Sequence, residues 1–165
     1  MIESGLSNFV LQNAAIQPFL GQSPQDAEGK IYEAFYFSFL PKNRTLPAVV
    51  LDRLKSNDAD DTLDARTALP GALILATFQF GSTAEDDPKN PKSPSGYLSA
   101  CQLSQVLRRQ LTALSTGNSS LPDGTLVKEV WIRDEYDAHF EVGGGVGGYL
   151  LRRVLLVDML FQETT

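Results

Sequence analysis

Reactive side chains are scarce in this chain. Its 165 residues include one cysteine, Cys101, and one histidine, His139. A single cysteine cannot close an internal disulfide, so the fold has to hold by burial alone, which fits a reducing compartment. With one histidine, a catalytic triad or a histidine-based metal site would hang on that ring, and no nucleophile-elbow or metal-ligand spacing accompanies it. No stretch approaches the ~18 apolar residues of a membrane-crossing helix, so no membrane partner is expected. The opening Met1-Ile-Glu-Ser has neither the basic start nor the apolar run of a secretion signal, and no leader is expected. Basic residues are also in short supply. Fourteen Lys and Arg stand against twenty Asp and Glu, a net charge of −6, with a pI near 4.7. On average such a surface repels a phosphate backbone.

What is present is ordinary for a globular chain: 42% hydrophobic and 21% charged residues, enough to argue against disorder. The length suits one domain, taken as 1–165, able to bury roughly two thirds of its unfolded surface without a metal or disulfide staple.

The periodicity predicts an α+β domain: a mainly antiparallel sheet of about five strands with two main helices packed on one face. Ile2, Leu6, Phe9, Val10 and Ile16 fall at helical spacing over residues 2 to about 16, punctuated by Pro18 and Gly21. Aromatic-rich residues 31–39 predict a strand stopped by Pro41. Residues 47–54 predict a second strand and 72–80 a third. Long loops are expected at 56–70, rich in acids, and at 81–96, rich in proline and acids. Ser93-Pro94 offers a cap and first-turn proline for a helix in which Ala100, Leu103, Leu107, Leu111 and Leu114 recur at spacings of three and four, ended by Gly117. The chain closes with a predicted hairpin, Leu126 to about Phe140 and Tyr149 to Phe161, around the glycine-rich tip 143–148. Leu151, Val154, Leu155 and Asp158 also fit a helical stripe, so for 149–161 both strand and helix stay open.

Candidate chemistry dissolves on inspection. Gly143, Gly145 and Gly148 spell G-x-G-x-x-G, but they follow a charged run instead of a buried strand and open no capped helix; a hairpin tip is the better reading. Asp58, Asp60 and Asp64 suggest a calcium loop, yet Leu63 and Leu69 stand where glycine and glutamate are required. His139 and Cys101 read as a hydrogen-bonded ring near a hairpin end and a small buried residue. No catalytic residue, cofactor or metal is therefore expected, and the chain reads as a non-enzyme. The doubled cations Arg108-Arg109 and Arg152-Arg153 are the candidate subunit-interface residues. Arg153, inside an apolar strand, needs a carboxylate or carbonyl partner if buried, supplied by a local salt bridge or by a neighbouring subunit. The aromatic row Phe35-Tyr36-Phe37-Phe39 is also a candidate pocket wall for a small ligand, although such rows more often build core.

Spaced positions over nearly the whole chain give a resemblance to a known family. The helix starting at Met1-Ile-Glu, Gly29-Lys-Ile-Tyr32, Leu46-Pro-Ala-Val-Val50, Tyr97-x-x-Ala100-x-x-Leu103, the Tyr136 segment and the final run Val154 to Phe161 ending in Gln-Glu resemble the small phage tail-component proteins. That family includes the tail-terminator and tail-completion proteins. The acidic insertions at 56–70 and 81–96 and the glycine tip depart from its pattern. The resemblance implies a virion structural protein at the tail–neck junction, assembled in the host cytoplasm as a homohexameric ring. Its partners would be copies of itself, the tail tube protein and a neck or connector protein, with DNA passing through without specific binding. A neck or head-completion connector is the near alternative. Under this reading Asp58, Asp60, Asp61, Asp64, Glu85, Asp86 and Asp87 are candidates for an acidic lumen or for partner-binding loops.

Overall fold

The computed structural model describes residues 1–21, 34–41, 44–57, 72–86, 96–115, 119–141 and 149–163, with backbone alone at 55–57, 139–141 and 149. The fold is α+β. Its sheet is mixed and six-stranded among the described residues, in the order β1-β2-β3-β6-β5-β4. The strands are β1 (Phe35–Phe37), β2 (Ala48–Asn57), β3 (Leu73–Asp86), β4 (Ser119–Ser120), β5 (Leu126–Glu141) and β6 (Tyr149–Gln162). Every pairing is antiparallel except β1 with β2, which run parallel. The expectation of a mainly antiparallel sheet of about five strands is met in part: the strands number six, and one pair is parallel. A two-residue strand has no periodicity to detect, and parallel pairing leaves no local mark in sequence.

Among the described residues two α-helices accompany the sheet, α1 (Ile2–Gln12) and α2 (Gly96–Ala113). Ile2, Leu6 and Val10 of α1 are fully buried, as are Leu103, Leu107 and Leu111 of α2. Each set lies one turn apart on one helix face. α1 ends earlier than its apolar spacing predicts, because Asn13 turns extended and its side-chain oxygen accepts the Ala15 amide at 2.9 Å. Ile16 still reaches the core, from the turn that follows. The amide of Ile2 donates to the Glu163 carboxylate at 2.9 Å, an anion at a helix N-terminus.

Both helices lie on the same side of the sheet. Glu3 of α1 bonds Arg53 at 3.0 Å, and Arg53 lies opposite Phe78 in the β2–β3 register, with its guanidinium over the Phe78 ring. Ser104 and Arg108 of α2 bond Glu135, which lies opposite Leu155, itself opposite Phe80. Strand alternation then assigns this side Ile74, Ala76, Phe78 and Phe80 of β3 and Leu155, Val157, Met159 and Phe161 of β6, all buried. A Gln110 carboxamide oxygen accepting from Asn13 at 3.1 Å ties the helices together.

The last segment is a strand. β6 is paired on both flanks, by β3 over its whole length and by β5. A doubly paired central strand carries apolar residues on both faces, and that is what imitates a helical stripe. β3 is longer than predicted: residues 81–86, expected in a loop, pair with Tyr149 to Val154. Their polar composition (Ser82, Thr83) is overridden by ladder hydrogen bonds, and both residues are fully buried. Of the predicted strand 31–39 only Phe35–Phe37 is strand, and 31–33 lie outside the described residues, as do the Ser93-Pro94 cap, Gly117 and the glycine tip. Register slips at Leu54 in β2 and at Lys128 and Arg133 in β5 insert extra residues that help curl the sheet.

Candidate functional site: a charged groove and an uncovered sheet face

α2 runs antiparallel to β5: Ser115, just past its end, meets Val130, and Ser104 and Arg108 meet Glu135. Between them lies an open groove of about 750 Å³ lined by Tyr97, Leu98, Arg108, Arg109, Glu135 and Arg153, among others. Glu135 is its hub. One of its oxygens accepts from Ser104 Oγ at 3.3 Å and from Arg153 Nε at 3.2 Å, and the other takes Arg108 at 2.9 Å. Arg153 also reaches Asp137 at 2.8 Å. Bonding to Asp137, and then to Glu135, holds the Arg153 guanidinium even more firmly protonated than a free arginine. At the other end of the groove, hydrogen bonding to Cys101, with the thiol's charge and that of Asp137, raises the Tyr97 phenol above an ordinary tyrosine.

On the opposite side of the sheet no described helix packs. Register and alternation place Leu73, Leu75, Val154, Leu156, Leu160, Trp131 and Tyr136 there. Trp131 is 44% exposed, Tyr136 41% and Leu73 54%, a large apolar outlay for an outer surface. Polar groups interleave with them. Thr77 Oγ1 donates to Asp158 at 2.6 Å, and Arg133 pairs with the same carboxylate at 3.3 Å. Arg152 lies flat on this face, over Gly81: a Cβ at Gly81 would stand 2.5 Å from the Arg152 Cδ. Its Nε donates to Thr83 Oγ1 at 2.9 Å, and burial lowers its pKa, partly opposed by the charge of Asp52.

The sequence-predicted site residues therefore separate. Arg108 and Arg153 share Glu135 across the groove, Arg109 stands beside them, and Arg152 points to the other face. The local salt bridge is the partner that Arg153 takes within the chain. Glu85 and Asp86 are exposed at the end of β3, where the Asp86 carboxylate accepts the Gly96 amide at 3.1 Å; the loop expected to carry them is strand up to Asp86. Asp58, Asp60, Asp61, Asp64 and Asp87 lie outside the described residues. The aromatic row divides as well: Phe35 is core, the Tyr36 hydroxyl accepts the Thr45 amide at 2.8 Å, and Phe37 and Phe39 are exposed at the β1 edge of the sheet. Glu135, Trp131 and Tyr136 escaped functional notice in the sequence. No group of three metal-ligating side chains occurs among the described residues. No known protein family matches the chain, and no curated protein matches it.

Proposed function

We propose that this protein is a structural component of a phage or phage-like particle: a hexameric ring that closes the end of the tail tube and joins it to the neck. It works through surfaces shared with its own copies, the tube protein and a connector, without a catalytic step or a cofactor. The observation that carries this reading is the sheet face on which no described helix packs, where Trp131, Tyr136 and Leu73 sit half-exposed beside Leu156 and Leu160. An apolar face of this kind is stable in water only at a cost that a neighbouring protein removes. The two ends of the sheet support it further. One is the short parallel β1 with exposed Phe37 and Phe39; the other is two-residue β4 and, beyond it, the long, bulged, charged β5. A closed ring needs two unlike surfaces on each subunit, and these edges differ. The net charge of −6 suits a conduit through which duplex DNA slides without being gripped.

Deleting the gene tests the reading. Filled heads should accumulate beside tails of abnormal length that fail to join, and restoring the gene should correct both. Tails of normal length that merely fail to join would move the protein to the neck. Normal, joined particles would remove the proposal.

A further inference from the structure

We infer that the groove between α2 and β5 is a docking site for an acidic, extended polypeptide segment that also carries apolar side chains. Tyr97, Cys101, Gln105, Arg108 and Thr112 recur at helical spacing along one side of α2 and line this groove. From Tyr97 to Thr112 the helix covers about 22 Å at 1.5 Å per residue, the reach of roughly seven extended residues at ~3.3 Å each.

The groove's charge selects its occupant. Glu135 is already shared by Ser104, Arg108 and Arg153, and Asp137 is taken by Arg153. Arg109 lines the same wall, is exposed, and makes no ion pair among the described residues. With Asp137 counted beside the lining, three guanidinium groups meet two carboxylates, which leaves the groove one cation in excess on a protein whose net charge is −6. The opposite end is apolar, with Tyr97 48% and Leu98 49% exposed. Carboxylates at the arginine end and an aliphatic side chain at the Tyr97–Leu98 end complement both halves. A nucleic acid would satisfy the cations but not the apolar end, and the overall negative field would oppose a long polyanion.

Docking proceeds through side chains, because the neighbouring edge of β5 is partly blunted. Ser115 Oγ bonds both the amide and the carbonyl of Val130, and the Asp134 carboxylate takes the Glu135 amide. The inference does not depend on ring formation, so either can fail alone.

Fluorescence anisotropy of the intact protein with a short fluorescein-labelled peptide of alternating leucine and glutamate tests it. Saturable binding is expected, weakening with salt. Arg109→Glu, at an exposed position that should leave the melting temperature unchanged, is expected to weaken binding about tenfold, the scale of one lost charge-assisted contact. Leu98→Ala should weaken it about threefold through the apolar end. Equal binding of a peptide with glutamine for glutamate, an unaffected Arg109→Glu variant, or tighter binding of a labelled DNA duplex would overturn the assignment. So would the absence of peptide binding together with self-association abolished by Arg109→Glu, which would make a second copy the occupant.

Discussion

At the residue scale, the fold settles its charges by pairing them locally, and glycine makes one of these arrangements possible. Arg152 occupies the space above Gly81 that any side chain would claim. Gly81→Ala should push the arginine off the sheet, break its bond to Thr83 and destabilise the protein by ~1–3 kcal/mol in a urea titration, the usual range for overpacking. Arg152→Ala in the same chain should recover part of that loss, a non-additivity expected of touching residues. Additive effects would mean that the two do not share the space. A second test concerns Tyr97. Its raised pKa means that the neutral phenol is favoured by folding. The preference is fully present below the ordinary tyrosine value of about 10 and lost as the pH rises through the higher folded value. In an alkaline ultraviolet titration Tyr97→Phe should remove a late-ionising component, and Cys101→Ala should move that component to lower pH. A Cys101→Ala variant with an unchanged titration would show that the thiol is not the cause.

At the element scale, the sheet is guarded where it could slip. Ser115 caps the outward amide and carbonyl of Val130 at 3.0 and 3.4 Å, just beyond the point where two-residue β4 stops covering β5. Ser115→Ala is expected to lower stability by about 1 kcal/mol and to raise light scattering on prolonged incubation, as an edge strand is uncovered. Scattering equal to the wild type would show that the edge is protected by other means. Much at this scale was legible in the sequence. The leucine spacing gives α2, and the long apolar and polar-aromatic runs around a glycine tip give the β5–β6 hairpin. Counting equal steps outward from the tip 143–148 sets Arg153 against Ala138, one residue away from Asp137, the partner that the register gives it. What was hidden depends on the third dimension. The hairpin register does not show that α2 brings Ser104 and Arg108 onto Glu135. Apolar residues on both faces of β6 do not reveal which face lacks a helix. Nor does local composition predict that the polar run Gly81–Asp86 continues as strand, since its pairing with β6 comes from more than sixty residues away.

At the scale of the whole molecule, the two helices among the described residues cover one face and leave the other with half-exposed Leu, Trp and Tyr side chains. That asymmetry is the physical reason to read the protein as one part of an assembly. Trp131 is the only tryptophan in the chain and lies on the uncovered face. Its fluorescence should therefore shift to the blue and become harder to quench as copies associate, without any change in fold. The proposed reading takes that assembly to be the end of a phage tail. A particle map by cryo-electron microscopy at side-chain resolution tests the claim most directly. The account predicts a ring of this chain at the head-proximal end of the tail tube, with Trp131 and Tyr136 covered by a neighbouring subunit. Particles lacking the chain, or copies whose Trp131 face meets only solvent, would contradict it.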